Sequence, residues 1–245
     1  MSDLHQSDLH QSDPNAPPLN PLPPVVWLLA LPMIAIEIAL NAGANGLVGG
    51  PDAVGWRVQI MQLFGFAPDY LRWMIENRQF PVLGLTRLLT YPLVHSGVGH
   101  ALFVVVILLA LGKYVGEVYR WWALLVTYLF ATVIGALAYA ALPYTHAGLL
   151  GGYPGDYGLI GAYSFLLWVK LAGSGENQLR AFRLIGFLLA LQVFIAVVGV
   201  VIYGIEQGTT WEFVADIAGF VTGFALAFAV SPGGWARVLA KLRAS

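Results

Sequence analysis

The chain predicts an all-α polytopic membrane protein, a bundle of six transmembrane helices. Three observations carry that prediction. Of 245 residues, 58% are hydrophobic and only 10% are charged, and the mean hydropathy is +0.73. A soluble domain carries about 25% charge, so these side chains cannot clothe a water-facing surface. The sequence also holds six apolar stretches near the roughly 20 residues that a spanning helix needs. Trp and Tyr mark several of their ends, as an interfacial belt does.

Residues 1–24 stand apart from this pattern. SDLHQ occurs twice, begins again as SDP, and is followed by a proline-rich spacer. The segment has nothing to bury and is expected to be a disordered tail. It carries Asp3, Asp8 and Asp13 without Lys or Arg, so it lacks the basic n-region of a secretory signal. His5 and His10 belong to the repeat and are expected to be solvated, not metal-bound.

The membrane domain is expected over 25–235. Its predicted spans are 25–42, 93–113, 121–142, 157–172, 184–204 and 211–230. The first linker, about 43–87, is long and contains the amphipathic run APDYLRWMIENRQF, suited to an interface or to a short soluble helix. A basic tail, 236–245, ends the chain. Lys113, Arg120, Lys170, Arg180, Arg183, Arg237, Lys241 and Arg243 fall on one side of this arrangement. Arg57, Arg72, Arg78 and Arg87, all in the long linker, fall on the other. The positive-inside rule places both termini in the cytoplasm, in the style of a bacterial inner-membrane protein. The near-neutral net charge of −1 argues against nucleic acid as a partner. The absence of cysteine excludes disulfides, thiol catalysis and thiolate metal sites.

Polar groups inside apolar segments are costly and mark functional positions. His95 and His100 lie at the outward mouth of span two, Asp216 lies in span six and Glu37 in span one. A hydrated cavity with Asp216 near one of the histidines is the economical expectation, with Glu37 an interfacial or snorkelling residue. Gly219, Gly223 and Ala227 make a small-residue stripe on span six, and Gly158 and Gly161 lack side chains at the start of span four. Such stripes let backbones approach closely.

TRLLTYPLVHSGVGHALF, GLIGAYSF and ADIAGFVTGFALAF, in this order within a six-span frame, resemble the rhomboid intramembrane serine protease family across roughly residues 80–230. Arg87 falls where the family often has Trp-Arg. The resemblance implies a six-helix rhomboid-like bundle and an intramembrane serine-type endopeptidase ancestry. It implies a serine in a Gly-x-Ser-Gly motif at the start of span four, where this chain has Ile160. It implies a general-base histidine ahead of the span-six stripe, where this chain has Asp216. Of the oxyanion donors, the span-two histidine is kept as His100, and the asparagine four residues later is Val104. His95 matches a histidine frequent in bacterial members.

Acyl transfer by this route needs a hydroxyl or thiol beside a base, and isoleucine has neither. Losing nucleophile and base together forfeits about six orders of magnitude in well-studied serine proteases. Ser164, one turn below Ile160, is a rescue candidate with Thr222 as its nearest polar neighbour, although a hydroxyl bonded back to the preceding turn is the simpler expectation. Two functions follow. One is a pseudoprotease without cofactor, which binds transmembrane segments of client membrane proteins through a lateral opening. The other is a membrane hydrolase, an active endopeptidase or a transporter that uses Asp216, His100 or Ser164. Zinc on His95, His100 and Asp216 is not indicated by their spacing.

Overall fold

The computed structural model describes residues 21–203 and 211–234. The SDLHQ repeat with His5 and His10, the 205–210 loop and the basic tail with Arg237, Lys241 and Arg243 lie outside the described residues. Nine α-helices are present among the described residues: α1 (Pro24–Ala44), α2 (Trp56–Phe64), α3 (Pro68–Asn77), α4 (Val82–Thr90), α5 (Val98–Gly116), α6 (Trp121–Ala141), α7 (Tyr153–Ser174), α8 (Arg183–Tyr203) and α9 (Phe213–Val230). Five of them, α1, α5, α6, α8 and α9, are long and apolar enough to cross a membrane.

The long helix α7 is outside that apolar class for a physical reason. It is the enclosed element, with every residue from Pro154 to Ala162 buried. Wrapped by α5, α6 and α9, it needs no lipid-matching surface, so glycine, proline and aspartate are tolerated along it. Lipid-like side chains face outward on the other helices instead, as at Leu28, Phe103, Phe130 and Phe187. The opposite extreme is α8, of whose most apolar stretch only 6% is buried.

Two predicted boundaries move. Helix α5 starts at Val98, not at 93, because Tyr91–Leu93 forms a separate 3₁₀ turn around Pro92. Helix α7 starts at Tyr153, not at 157. Pro154 sits in its first turn, where proline's missing N–H costs nothing.

The long linker folds as α2, α3 and α4 against the ends of α1 and α6. The amphipathic run forms α3, and its Arg72 caps α6. The guanidinium donates to the carbonyls of Ala140 (2.8 Å) and Leu142 (3.1 Å), to the Thr145 carbonyl and to Asp69 Oδ1 (2.6 Å). Those carbonyls lie at a helix C-terminus without intrahelical partners, where a cation is favoured. Hydrogen bonds from Arg72 and from His146 hold the Asp69 carboxyl below its usual range. Asp69 therefore supports the fold at pH above about 4, and its contribution disappears as pH falls through the lowered value. Arg72→Ala is expected to lower thermal stability by about 2 kcal/mol, with Arg72→Lys recovering only part because the fork is lost; melting of the detergent-solubilised protein checks this.

Candidate functional site

The site begins where the linker pins the start of α7. Phe66 and Leu149 exchange backbone hydrogen bonds of 3.1 and 2.8 Å, and Gly151 N–H donates to the Tyr91 carbonyl at 3.0 Å. The Tyr91 hydroxyl donates in turn to the Thr132 carbonyl of α6 at 2.9 Å. Gly151 then turns with φ +83°, and a Cβ there would collide with the His100 ring. Only glycine serves at that position.

His100 stands in the first turn of α5. Its Nδ1 forms a 3.1 Å hydrogen bond with Ser96 Oγ, and its ring stacks on Tyr153 with centroids 5.1 Å apart. His95 meets it edge-on at 5.1 Å. His95 is 1% exposed, and neither of its ring nitrogens has a partner among the described residues. Val104, one turn below His100, packs on Gly152, where an added Cβ would lie 2.9 Å from Val104 Cγ1.

Helices α7 and α9 run parallel and touch backbone to backbone. A Cβ on Gly219 would fall on the Pro154 carbonyl, one on Gly223 on the Gly158 carbonyl, and one on Gly161 on the Phe220 carbonyl. Ala227 is fully buried in the same seam, with Ala162 and Phe165. This pairing sets the levels: Gly219 faces Pro154 and Gly223 faces Gly158. Asp216, less than one turn before Gly219, is therefore level with the start of α7.

Ile160 is elsewhere. It lies six residues past Pro154, about 9 Å deeper along the helix. It is also turned about 100° from Gly161, away from α9, into the core cluster that contains Val26 and Leu29 of α1 and Leu108 of α5. The expected meeting of Ile160 with Asp216 does not occur. An earlier Gly-x-x-Gly, Gly152-Tyr153-Pro154-Gly155, stands at the level of His100 and Asp216. It escaped sequence reading because 143–156 reads as a proline- and glycine-rich loop.

Three further expectations change. Asp216 is paired with Gln192 of α8, whose Nε2 donates to Oδ2 at 2.6 Å, and not with a histidine. Gln192 was legible as the one strongly polar residue inside span five. Glu37 does not snorkel. It is 7% exposed and takes two hydrogen bonds from Arg57, at 2.7 and 3.0 Å, and one from Asn41 at 2.7 Å. Arg57 also donates to the His95 carbonyl at 3.0 Å, which ties this ion pair to the mouth of the site. Ser164 is buried, and its Oγ has no partner among the described residues, so it does not bond back to its own helix. Thr222 does so instead, donating to the Ala218 carbonyl at 2.7 Å, and it lines a lipid-facing groove with Ile134 and Ile217.

Asp156 is the largest omission of the sequence reading. It is fully buried in α7, one residue from Gly155, which packs on Tyr128 and Thr132, and neither carboxylate oxygen has a partner among the described residues. Its position in GDYGLIG was visible, but its inclusion in the helix was not.

A search among curated proteins finds no match. A family model, the Rhomboid domain, matches residues 83–233. That span runs from α4 to the end of α9 and includes every residue of the seam and mouth described above except Phe66 and the anchoring residues of α1 and α2. It covers more than half of the 245 residues, and the chain belongs to the rhomboid family.

Proposed function

We propose that this integral, multi-pass membrane protein is a catalytically silent rhomboid that binds transmembrane segments of client membrane proteins. One observation carries the reading: at the level of His100 and Asp216, α7 presents Tyr153 and Pro154. In this register the nucleophile position of Gly-x-Ser-Gly falls on Pro154, which has no reactive side chain, and the base position remains Asp216. His100 keeps the oxyanion place and Val104 lacks the second donor. A lateral opening at α8 is supported by its sparse burial, with only 6% of its most apolar stretch buried. Lipid is the surrounding medium, with no cofactor. Both termini are assigned to the cytoplasmic side of a bacterial-type inner membrane. Lys113 and Lys170, toward the ends of α5 and α7 remote from His100, and Arg180, in the 3₁₀ turn that follows α7, support this.

A second reading, a membrane hydrolase, rests on the Ser96–His100 hydrogen bond. Ser164, by contrast, lies about 15 Å below Pro154 along α7, far from His100 and Asp216. The Ser96 pair lacks a third group, because His100 Nε2 has no partner to orient it among the described residues. A fluorophosphonate probe applied to the purified protein separates the two readings. The expected result is no labelling above that of the Ser96→Ala variant. Labelling that disappears in Ser96→Ala or Ser164→Ala overturns the silent assignment.

A further inference from the structure

Between Asp156 and Glu206 the sequence has a single acid, Glu176, and three bases, Lys170, Arg180 and Arg183. All four lie where α7 ends and the chain turns back into α8. The turn is tightly made. Gly175 takes the left-handed conformation at φ +72°, and the Glu176 N–H donates to the Leu171 carbonyl at 3.1 Å. Asn177 Oδ1 accepts from the Leu179 N–H at 3.0 Å, and Gln178 Nε2 donates to the Trp168 carbonyl at 3.3 Å. Ala181 is buried, and Phe182 packs on Phe220 and Phe224 at centroid distances of 6.5 and 5.6 Å. These contacts fold the chain back along the last turns of α7 and fix the backbone that carries Arg180 and Arg183.

A recess of about 420 Å³ lies between those last turns and the start of α8. Its floor is apolar. Tyr163, Leu167 and Leu171 follow one face of α7 at intervals of four, and Leu184 closes the floor from α8. That stripe spans eight residues, about 12 Å, which is most of the roughly 15 Å of hydrocarbon in one leaflet. The rim is charged, with Arg180, Arg183 and Glu176. Arg180 Nη1 donates to Glu176 Oε2 at 2.6 Å, and both side chains are half exposed. Arg183 and the neighbouring Lys170 enter no ion pair among the described residues. Two cations therefore stand at the rim without an acid.

We propose that this recess binds an anionic glycerophospholipid, with its phosphate held by Arg180 and Arg183 and the first part of an acyl chain laid along the apolar floor. A guanidinium offers phosphate two parallel N–H donors, and basic recesses between spanning helices take acidic headgroups. A soluble anion matches the rim but leaves the floor empty. A zwitterionic headgroup brings an ammonium beside Arg183 and Lys170, which repel it. The bound lipid bridges the end of α7 and the start of α8, and so steadies the helix with the least burial of its own. The site lies at the end of α7 remote from His100, and its occupancy does not require a client helix.

The test is native mass spectrometry of the full chain, delipidated in detergent and mixed with one lipid at a time. Phosphatidylglycerol is expected to be retained about five-fold more than phosphatidylethanolamine, and Arg180→Gln and Arg183→Gln each to lower its retention about five-fold, the effect of one basic residue at an anionic surface. Both arginines are exposed, so these variants are expected to fold. Glu176→Gln is expected to raise retention, because it frees Arg180; a purely structural salt bridge gives no such gain. Leu167→Trp, which fills the floor and leaves the charges alone, is expected to lower it. Equal retention of the two lipids, or wild-type retention in the Arg180→Gln, Arg183→Gln double variant, overturns the site. Glycerol phosphate retained as well as phosphatidylglycerol makes this a site for a soluble anion and overturns the lipid assignment.

Discussion

Gly223→Val is expected to abolish the folded bundle. The Gly223 Cα lies against the Gly158 backbone so closely that even a single Cβ would fall on the Gly158 carbonyl. Backbone cannot step aside as a side-chain tip does. The substitution must therefore separate α7 from α9, the two helices that hold Pro154 level with Asp216. Overpacking a well-formed core costs about 1–3 kcal/mol and occasionally more. With two branches on top of the Cβ, Gly223→Val belongs at or above about 3 kcal/mol. The readout is the monodisperse fraction and melting temperature of the purified protein. Gly173→Ala supplies the contrast. It lies near the C-terminal end of α7, the partner helix of the seam, with nothing within 4 Å of the added atom, and should be neutral or stabilising by up to about 1 kcal/mol. Equal behaviour of the two variants would mean that the α7–α9 seam is not the close contact described.

The second large effect concerns Arg57 and Glu37. Arg57→Ala strips the Glu37 carboxylate of a bidentate partner at a site where the glutamate is 7% exposed. Breaking a buried pair from one side costs about 3–5 kcal/mol, because a charge is left without compensation. Arg57 keeps some contact with solvent, so a loss of about 3 kcal/mol is the expected figure. The doubly neutral Arg57→Gln, Glu37→Gln protein should lose much less, since no lone charge remains. Because Arg57 also donates to the His95 carbonyl, the single variant should loosen the mouth of the site. Protease access to the 94–97 link would report that loosening. A double variant as unstable as the single one would show that the pair acts through packing and not through charge.

The linker that makes these contacts looked like the least structured part of the membrane domain. Its amphipathic run was visible, but its partner was not, since Arg72 reaches residues about 70 positions further along the chain. Glu37 carried the same ambiguity. An acid near the end of an apolar helix reads equally as snorkelling or as paired, and the pairing residue sits 20 positions away in a different helix. The glycines were more informative. Their spacing marked which faces lack side chains, but it left open which glycine meets which carbonyl. That register decides the site. Gly-x-x-Gly occurs three times between residues 152 and 161, at 152–155, 155–158 and 158–161. Motif spacing alone drew the eye to the last, and the contact of Gly219 with Pro154 brings the first level with Asp216.

The amino-acid order by itself determined the membrane class, the helical spans to within a few residues and the rhomboid kinship. All of these follow from local quantities: hydropathy over a span, the charge of a loop, the identity of a residue beside a glycine. Only the tertiary structure decided that Ile160 is core, that Tyr153 stacks on His100 while Pro154 meets Gly219, that Asp216 is held by Gln192 and that Asp156 is buried without a partner among the described residues. Each of these depends on the axial offset between packed helices. A shift of one turn, 5.4 Å, exchanges one set of neighbours for another without altering a single hydropathy value.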